Sequence, residues 1–176
     1  MRQEVFPGRF TAEPEGDVTV FLVGMRANRW WEIRTVMRVA AAMPRMLRYL
    51  STTPEAGLLG FHQWLGRTTI LVSYWRSPEH LMRFAADHEA PHLAPWRDFM
   101  KTVAGTGSIG VWHETYSVPG SGMEAVYNGM PAFGLAKATA HVPVQRGLST
   151  ARQRWAHAQA SERQASERRA NESGVA

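Results

Sequence analysis

Leu58-Leu59-Gly60-Phe61-His62-Gln63-Trp64-Leu65-Gly66-Arg67-Thr68-Thr69-Ile70-Leu71-Val72-Ser73-Tyr74-Trp75-Arg76-Ser77-Pro78-Glu79 holds two β-rich runs and a helix start in succession. The runs 58–65 and 69–75, joined by a short Gly-containing loop, predict a β-hairpin. Ser77, Pro78 and Glu79 supply an N-cap, an N1 proline and a first-turn carboxylate, so a helix follows at once, with Leu81, Met82, Phe84 and Ala85 expected inward. Upstream, Val18-Thr19-Val20-Phe21-Leu22-Val23-Gly24-Met25 is nearly all apolar and rich in β-branched residues, as a strand covered on both faces is. Between that strand and the hairpin the period changes: Trp30, Ile33, Met37, Ala40 and Leu47 fall on one helical stripe, with Arg34, Arg38, Arg45 and Arg48 largely off it. Pro44 removes a backbone donor inside this amphipathic helix and predicts a kink or a break. Downstream, Pro91 and Pro95 punctuate the chain, Trp96 to Met100 reads as a short helical segment, Ser108 to Val118 as an aromatic strand, and Met123 to Tyr127 as a further short strand.

The order is therefore β-α-β-β-α-β, the ferredoxin-like split βαβ arrangement of an α+β domain with an antiparallel sheet, expected over residues 18–147. Residues 1–17 carry Pro7, Gly8, Pro14 and Gly16 without periodicity and read as a leading arm. From Leu148 the composition turns to Ala, Gln, Ser, Glu and Arg, so 148–176 is a polar tail, helical or disordered, with little to bury and dispensable to the fold.

The 176 residues suit one domain with one core, and 44% hydrophobic against 20% charged residues excludes disorder over most of the length. Cysteine is absent, which removes disulfide scaffolds, thiolate nucleophiles and Cys-ligated metal centres and fits a reducing compartment. No apolar run has the length of a membrane span and the start lacks a signal-peptide pattern, so the expectation is a cytoplasmic protein without a membrane partner. The net charge of +5 permits nucleic acid, but the lysines are only Lys101 and Lys137 and the arginines are interleaved with carboxylates, so no nucleic-acid partner is expected.

A sheet covered by helices on one face leaves the other bare. Trp64, Trp75, Trp112 and Tyr116 lie on strands, too much aromatic surface for water, which predicts a homodimer packed sheet to sheet. On the Trp112-His113-Glu114-Thr115-Tyr116 strand, alternation puts Trp112, Glu114 and Tyr116 on one face and His113 on the other. His113 is a general base or orienting donor if it faces a pocket, and a structural hydrogen bonder if it faces a partner. His62 and Trp64 share a face, while Tyr74 and Trp75 take opposite faces. His88-Glu89-Ala90-Pro91-His92 spells the zinc-peptidase pattern, but Pro91 breaks the continuous helix that the motif needs, so it reads as two surface histidines and no metal site is expected. No phosphate loop or closely spaced carboxylate pair is visible.

Four segments carry a family resemblance: Phe21-Leu22-Val23-Gly24-Met25-Arg26-Ala27-Asn28-Arg29-Trp30-Trp31; Gly57-Leu58-Leu59-Gly60-Phe61 with Trp64-Leu65-Gly66; Tyr74-Trp75-Arg76-Ser77 with His92-Leu93-Ala94-Pro95-Trp96-Arg97; and Gly110-Val111-Trp112-His113-Glu114-Thr115-Tyr116 with Tyr127-Asn128-Gly129-Met130-Pro131. From Val18 to about Leu135 the chain resembles the dimeric α+β barrel superfamily, in particular an antibiotic-biosynthesis-monooxygenase-like branch related to the small monooxygenase of fumagillin biosynthesis. The resemblance implies a homodimeric oxidoreductase of secondary metabolism. It would oxidise a hydrophobic, polyketide- or fatty-acid-derived substrate with O2 and without a bound metal or flavin.

In such an enzyme the substrate anion itself reduces O2, and the protein supplies a base, donors and a dry cavity. The implied catalytic residues are His113, Asn128 and His62, with Trp64, Tyr74, Trp75, Phe84, Trp96 and Tyr127 lining the substrate; Asn128 is expected in a loop over the pocket mouth. Arg26 and Asn28 are further candidate donors. The superfamily also holds haem proteins, which gives an alternative with His92 or His113 as axial ligand and Phe84 against the ring. A third reading is a non-catalytic holder of an apolar ligand.

Overall fold

The structure, a computed structural model, describes residues 3–173, with side chains as far as Arg168. The outermost residues of the expected arm and tail, 1–2 and 174–176, lie outside the described residues. The chain divides into two compact units, one of residues 19–116 and one that joins the stretch up to Val18 to the stretch from Ser117 onward. This departs from the expectation of a single core.

Within the 19–116 unit the elements are β2 (Val18–Ala27, whose first residue belongs to the other unit), α1 (Ile33–Ala40), α2 (Ala42–Thr52), β3 (Leu58–Trp64), β4 (Ile70–Trp75), α3 (Pro78–Ala86), α4 (Leu93–Thr102) and β5 (Ile109–Val118, whose last two residues belong to the other unit). The strands form a four-stranded sheet in the order β3-β4-β2-β5, the ferredoxin-like order. Antiparallel pairing places Thr19 opposite Trp75, Phe21 opposite Ser73 and Val23 opposite Leu71, and on the other side of β4 Phe61 opposite Ser73 and His62 opposite Val72. Because side chains alternate, Thr19, Phe21, Leu71, Ser73 and Trp75 share the helix-covered face, while Val20, Leu22, Gly60, His62, Trp64, Val72 and Tyr74 share the opposite, open face.

The core on the helix side joins Trp75 to Leu50 of α2 and to Leu81 and Phe84 of α3. Each such large apolar side chain contributes about 1.5–3 kcal/mol on burial. The Trp75 indole N–H donates to Ser73 Oγ at 3.0 Å, and the Ser73 hydroxyl donates to the Phe21 carbonyl at 3.0 Å, so the polar atom of the largest core residue is satisfied. A second cluster, Phe99, Val103 and Ile109, is packed by Met25, Val36 and Val39.

Local signals account for the elements. The Ser77 hydroxyl accepts from the His80 backbone N–H and Pro78 occupies N1, as the capping pattern predicts. Of the residues expected inward on α3, Leu81 and Phe84 are buried, whereas Met82 and Ala85 are exposed, being on the outer side of a helix that is covered on one face only. Gly57 turns the chain into β3 at φ 85°, and the His80 ring fills the place that a Cβ would need, so glycine is required twice over. The predicted break near Pro44 falls at Ala41: Pro44 sits in the first turn of α2, where its missing N–H is not needed. Of the expected apolar stripe Leu47 is buried, but Trp30, Ile33 and Met37 are exposed, and Val36 and Val39 turn inward on α1 instead.

The other unit contains β1 (Phe6–Ala12), β6 (Tyr127–Met130), α5 (Gly134–Ala138), β7 (His141–Pro143) and α6 (Ala151–Ser173). The leading arm is thus a strand, central in a three-stranded sheet of order β6-β1-β7. Its alternation is hidden in the sequence because the register slips between Phe6 and Arg9, where Gly8 has φ 92°. Asn128 is paired with Arg9 inside β6 rather than carried on a loop, and the short strand expected at 123–127 lies at 127–130. The tail is helical. Arg154, Ala158, Glu162 and Ala165 recur at helical spacing as the less exposed positions of α6, and the Glu162 carboxylate accepts the Ser121 N–H at 3.1 Å.

Candidate functional site

His113 lies on the edge strand β5 with its ring 5.8 Å from that of Phe21, which places it on the helix-covered side of the sheet. Its side chain is exposed and makes no hydrogen bond to a described residue. Behind Phe21 is an aromatic layer: Trp75 to Phe84 at 5.6 Å, Tyr49 to Phe84 at 6.2 Å and Phe84 to His92 at 4.6 Å. The half-buried Phe21 ring thus joins the buried Trp75 and Phe84 core to the exposed His113 ring at the strand edge.

Glu114 does not pair with His113, its sequence neighbour, because a strand turns the two side chains to opposite faces. Glu114 instead accepts the Tyr116 hydroxyl at 2.7 Å, and that bond, with the nearby negative charge, raises the Tyr116 phenol above its ordinary range.

The His62 and Trp64 rings lie 4.3 Å apart, tilted at 59°, on the open face, with Tyr74 on the same face of the sheet. They are not brought together with His113, which is on the reverse side of the sheet. Trp112 also belongs to the open face: a Cβ on Gly24 would meet its Nε1 at 2.8 Å and run into the Thr69 carbonyl, so the indole packs directly over the glycine backbone. That indole N–H is shielded and has no acceptor among the described residues.

Trp75 and Phe84 are core residues, 2% and 9% exposed, so their rings pack the interior rather than face an open site. Trp96 stacks on Phe99 at 5.6 Å along α4 and is itself exposed. His92 donates from Nε2 to the Ala85 carbonyl at 3.2 Å, and its Nδ1 is shut from solvent with no hydrogen-bond partner among the described residues. Neither nitrogen presents to open space, so His92 as placed does not fit an axial haem ligand. The His88 to His92 stretch is a turn between α3 and α4, which removes the single helical face that a zinc motif of this pattern uses.

Tyr127 and Asn128 belong to the other unit. The Tyr127 hydroxyl accepts the Ala136 N–H at 3.3 Å, and burial raises its phenol above the ordinary range, partly offset by backbone hydrogen bonds from Ala136 and Leu135. The Tyr127 ring meets His141 edge-on at 5.9 Å, and His141 stacks on Phe10 at 4.4 Å. Asn128 is exposed. The same unit has a cleft of roughly 390 Å³ bordered by Glu13, Met123, Leu135, Val142, Arg154 and His157.

Sequence reasoning passed over Phe21 and Ser73, which position the aromatic layer; both follow from alternation in β2 and β4 once the sheet register is known. It passed over the cleft as well, for which the recurrence of Arg154, Ala158, Glu162 and Ala165 was the available signal.

The sequence matches the family described as Monooxygenase af470-like over residues 18–135. It is also 27% identical over 132 residues to Monooxygenase af470 of Aspergillus fumigatus, an alignment covering 68% of this chain and 46% of that protein. The chain thus spans about half the length of the curated relative it matches. The matched residues run from β2 through α1, α2, the β3–β4 hairpin, α3, α4, β5 and β6 to the start of α5, and the protein belongs to the Monooxygenase af470-like family.

Proposed function

We propose that the protein is a small monooxygenase that oxidises a hydrophobic, polyketide- or fatty-acid-derived substrate with O2 in cytoplasmic secondary metabolism. The observation that carries this reading is the position of His113, exposed at the edge of the Phe21, Trp75 and Phe84 layer rather than on the open face. An apolar substrate with an activated methylene meets the Phe21 edge of that layer, and the exposed His113 ring takes its proton. The carbanion transfers its electrons to O2, a C–O bond forms and, on protonation, a hydroperoxide results. Loss of water then leaves a carbonyl, so one O2 is consumed for each ketone and water produced. No metal or flavin is required, and the name of the fungal relative is consistent with this class.

The open face, with Trp64 and Tyr116 about half exposed, is in this reading the surface on which a second copy packs. Light scattering at micromolar concentration should give a dimer. The test of the site is His113→Ala: the variant should keep its circular dichroism spectrum and melting temperature yet lose O2 consumption with an activated phenol or anthrone-type probe by about a hundredfold or more, the range of general-base contributions. Full turnover in that variant would overturn the assignment.

A further inference from the structure

Trp30, Trp31, Ile33 and Met37 are exposed at 62, 62, 64 and 61%, an unusual grouping for one turn and the helix that follows it. Val36 and Val39 hold α1 to the Phe99 cluster, which leaves Ile33 and Met37, one helical turn apart, projecting from the other flank behind the two indoles. Arg29 in the turn, Arg34 and Arg38 on α1, and Arg45 and Arg48 on α2 are all exposed. The one carboxylate between residues 29 and 52, Glu32, pairs with Arg29 at 3.3 Å. Five arginines against one glutamate give this short stretch +4 of the chain's total +5.

We propose that the Trp30-Trp31 turn and α1 dock on the surface of an anionic lipid bilayer. The indoles, Ile33 and Met37 enter the boundary between headgroups and acyl chains, where amphipathic Trp side chains are favoured, and the arginines meet lipid phosphates. A second copy does not suit this face, because a two-fold contact would set +4 against +4. Nucleic acid fits less well, because Ile33 and Met37 offer bases neither hydrogen bonds nor stacking. Among the described residues no helix is long and apolar enough to cross a membrane, so the contact is peripheral. The expectation of no membrane partner rested on spanning length alone, which does not govern surface binding. This inference does not depend on the proposed reaction.

Co-sedimentation of the full chain with vesicles of phosphatidylcholine, with and without phosphatidylglycerol, tests it. Binding is expected on the anionic vesicles only, weakening with added salt. The double variant R34Q/R38Q should bind about twenty-five-fold more weakly, roughly fivefold per arginine, whereas R34K/R38K should retain binding. W30S/W31S should lose about tenfold or more while keeping its melting temperature, since both residues are exposed. Wild-type protein left in the supernatant, equal binding to neutral vesicles, or unaltered binding of W30S/W31S would overturn the proposal. So would loss of binding in R34K/R38K, tighter binding to a single-stranded oligonucleotide than to vesicles, or an oligomer that W30S/W31S dissociates while the wild type ignores lipid.

Discussion

Replacing Glu124 by alanine should loosen the unit that carries the C-terminal helix, and the size of the effect follows from what surrounds Arg154. The Arg154 guanidinium sits 2.5 Å through Nη2 and 2.7 Å through Nε from Glu124 Oε1, with side chains only 10% and 18% exposed. Its Nη1 donates to the carbonyls of Leu148 and Ser149 at 3.0 and 3.1 Å. Glu124→Ala removes the only carboxylate partner of Arg154 among the described residues and leaves a guanidinium nine-tenths buried. Breaking a buried pair from one side costs about 3–5 kcal/mol, and the two surviving carbonyl contacts argue for the lower end, about 3 kcal/mol. For a unit of this size each kcal/mol lowers the midpoint by about 4 °C or more, so a drop of about 12 °C is expected. With two compact units, one overall midpoint is not well defined. The assay is therefore calorimetry together with amide hydrogen exchange resolved to β1, β6 and α6. The double replacement of Glu124 and Arg154 by leucine should recover most of the loss, because no charge is left stranded. A loss under about 0.5 kcal/mol for Glu124→Ala, the behaviour of an exposed pair, would refute the reasoning. So would a double variant no more stable than the single. Deletion of residues 156–176 should also destabilise this unit, against the expectation of a dispensable tail, because it removes Glu162, which accepts the Ser121 N–H, and the half-buried Ala158 and Ala165.

Ser73→Ala should destabilise the 19–116 unit by about 1–3 kcal/mol, since it strands the Trp75 indole N–H in the core, and Trp75 fluorescence and denaturant midpoints report it; an unchanged midpoint would mean that the indole finds another acceptor. Tyr127 gives a pH dependence. Its phenol is raised in the folded state, mainly by burial, so the unfolded chain loses its proton first as pH climbs past about 10, and stability present below that pH falls above it. Tyr127→Phe should flatten that fall between pH 9 and about 11 in urea titrations, and an identical slope in both proteins would remove the assignment.

Local chemistry decided much of this molecule. The β-α-β-β-α-β order, the Ser77 cap with Pro78 at N1, the break near Pro44 and the opposite facing of His113 and Glu114 all follow from signals a few residues long, and each of these features is present in the folded chain. Tertiary structure alone decided which side of each element is inside. Periodicity places Trp30, Ile33 and Met37 on one stripe but does not say whether that stripe meets the sheet, and Val36 and Val39 met it instead. His62 and His113 are both strand histidines in the sequence; the register of β3 on β4, and the packing of Phe21 under the helices, put them on opposite faces. β1 was illegible because the slip at Gly8 erases its period and because its partners, β6 and β7, lie more than a hundred residues away. Pairing over such a separation leaves no local trace, since the hydrogen bonds that define the strand belong to residues the chain reaches only after the rest has folded back.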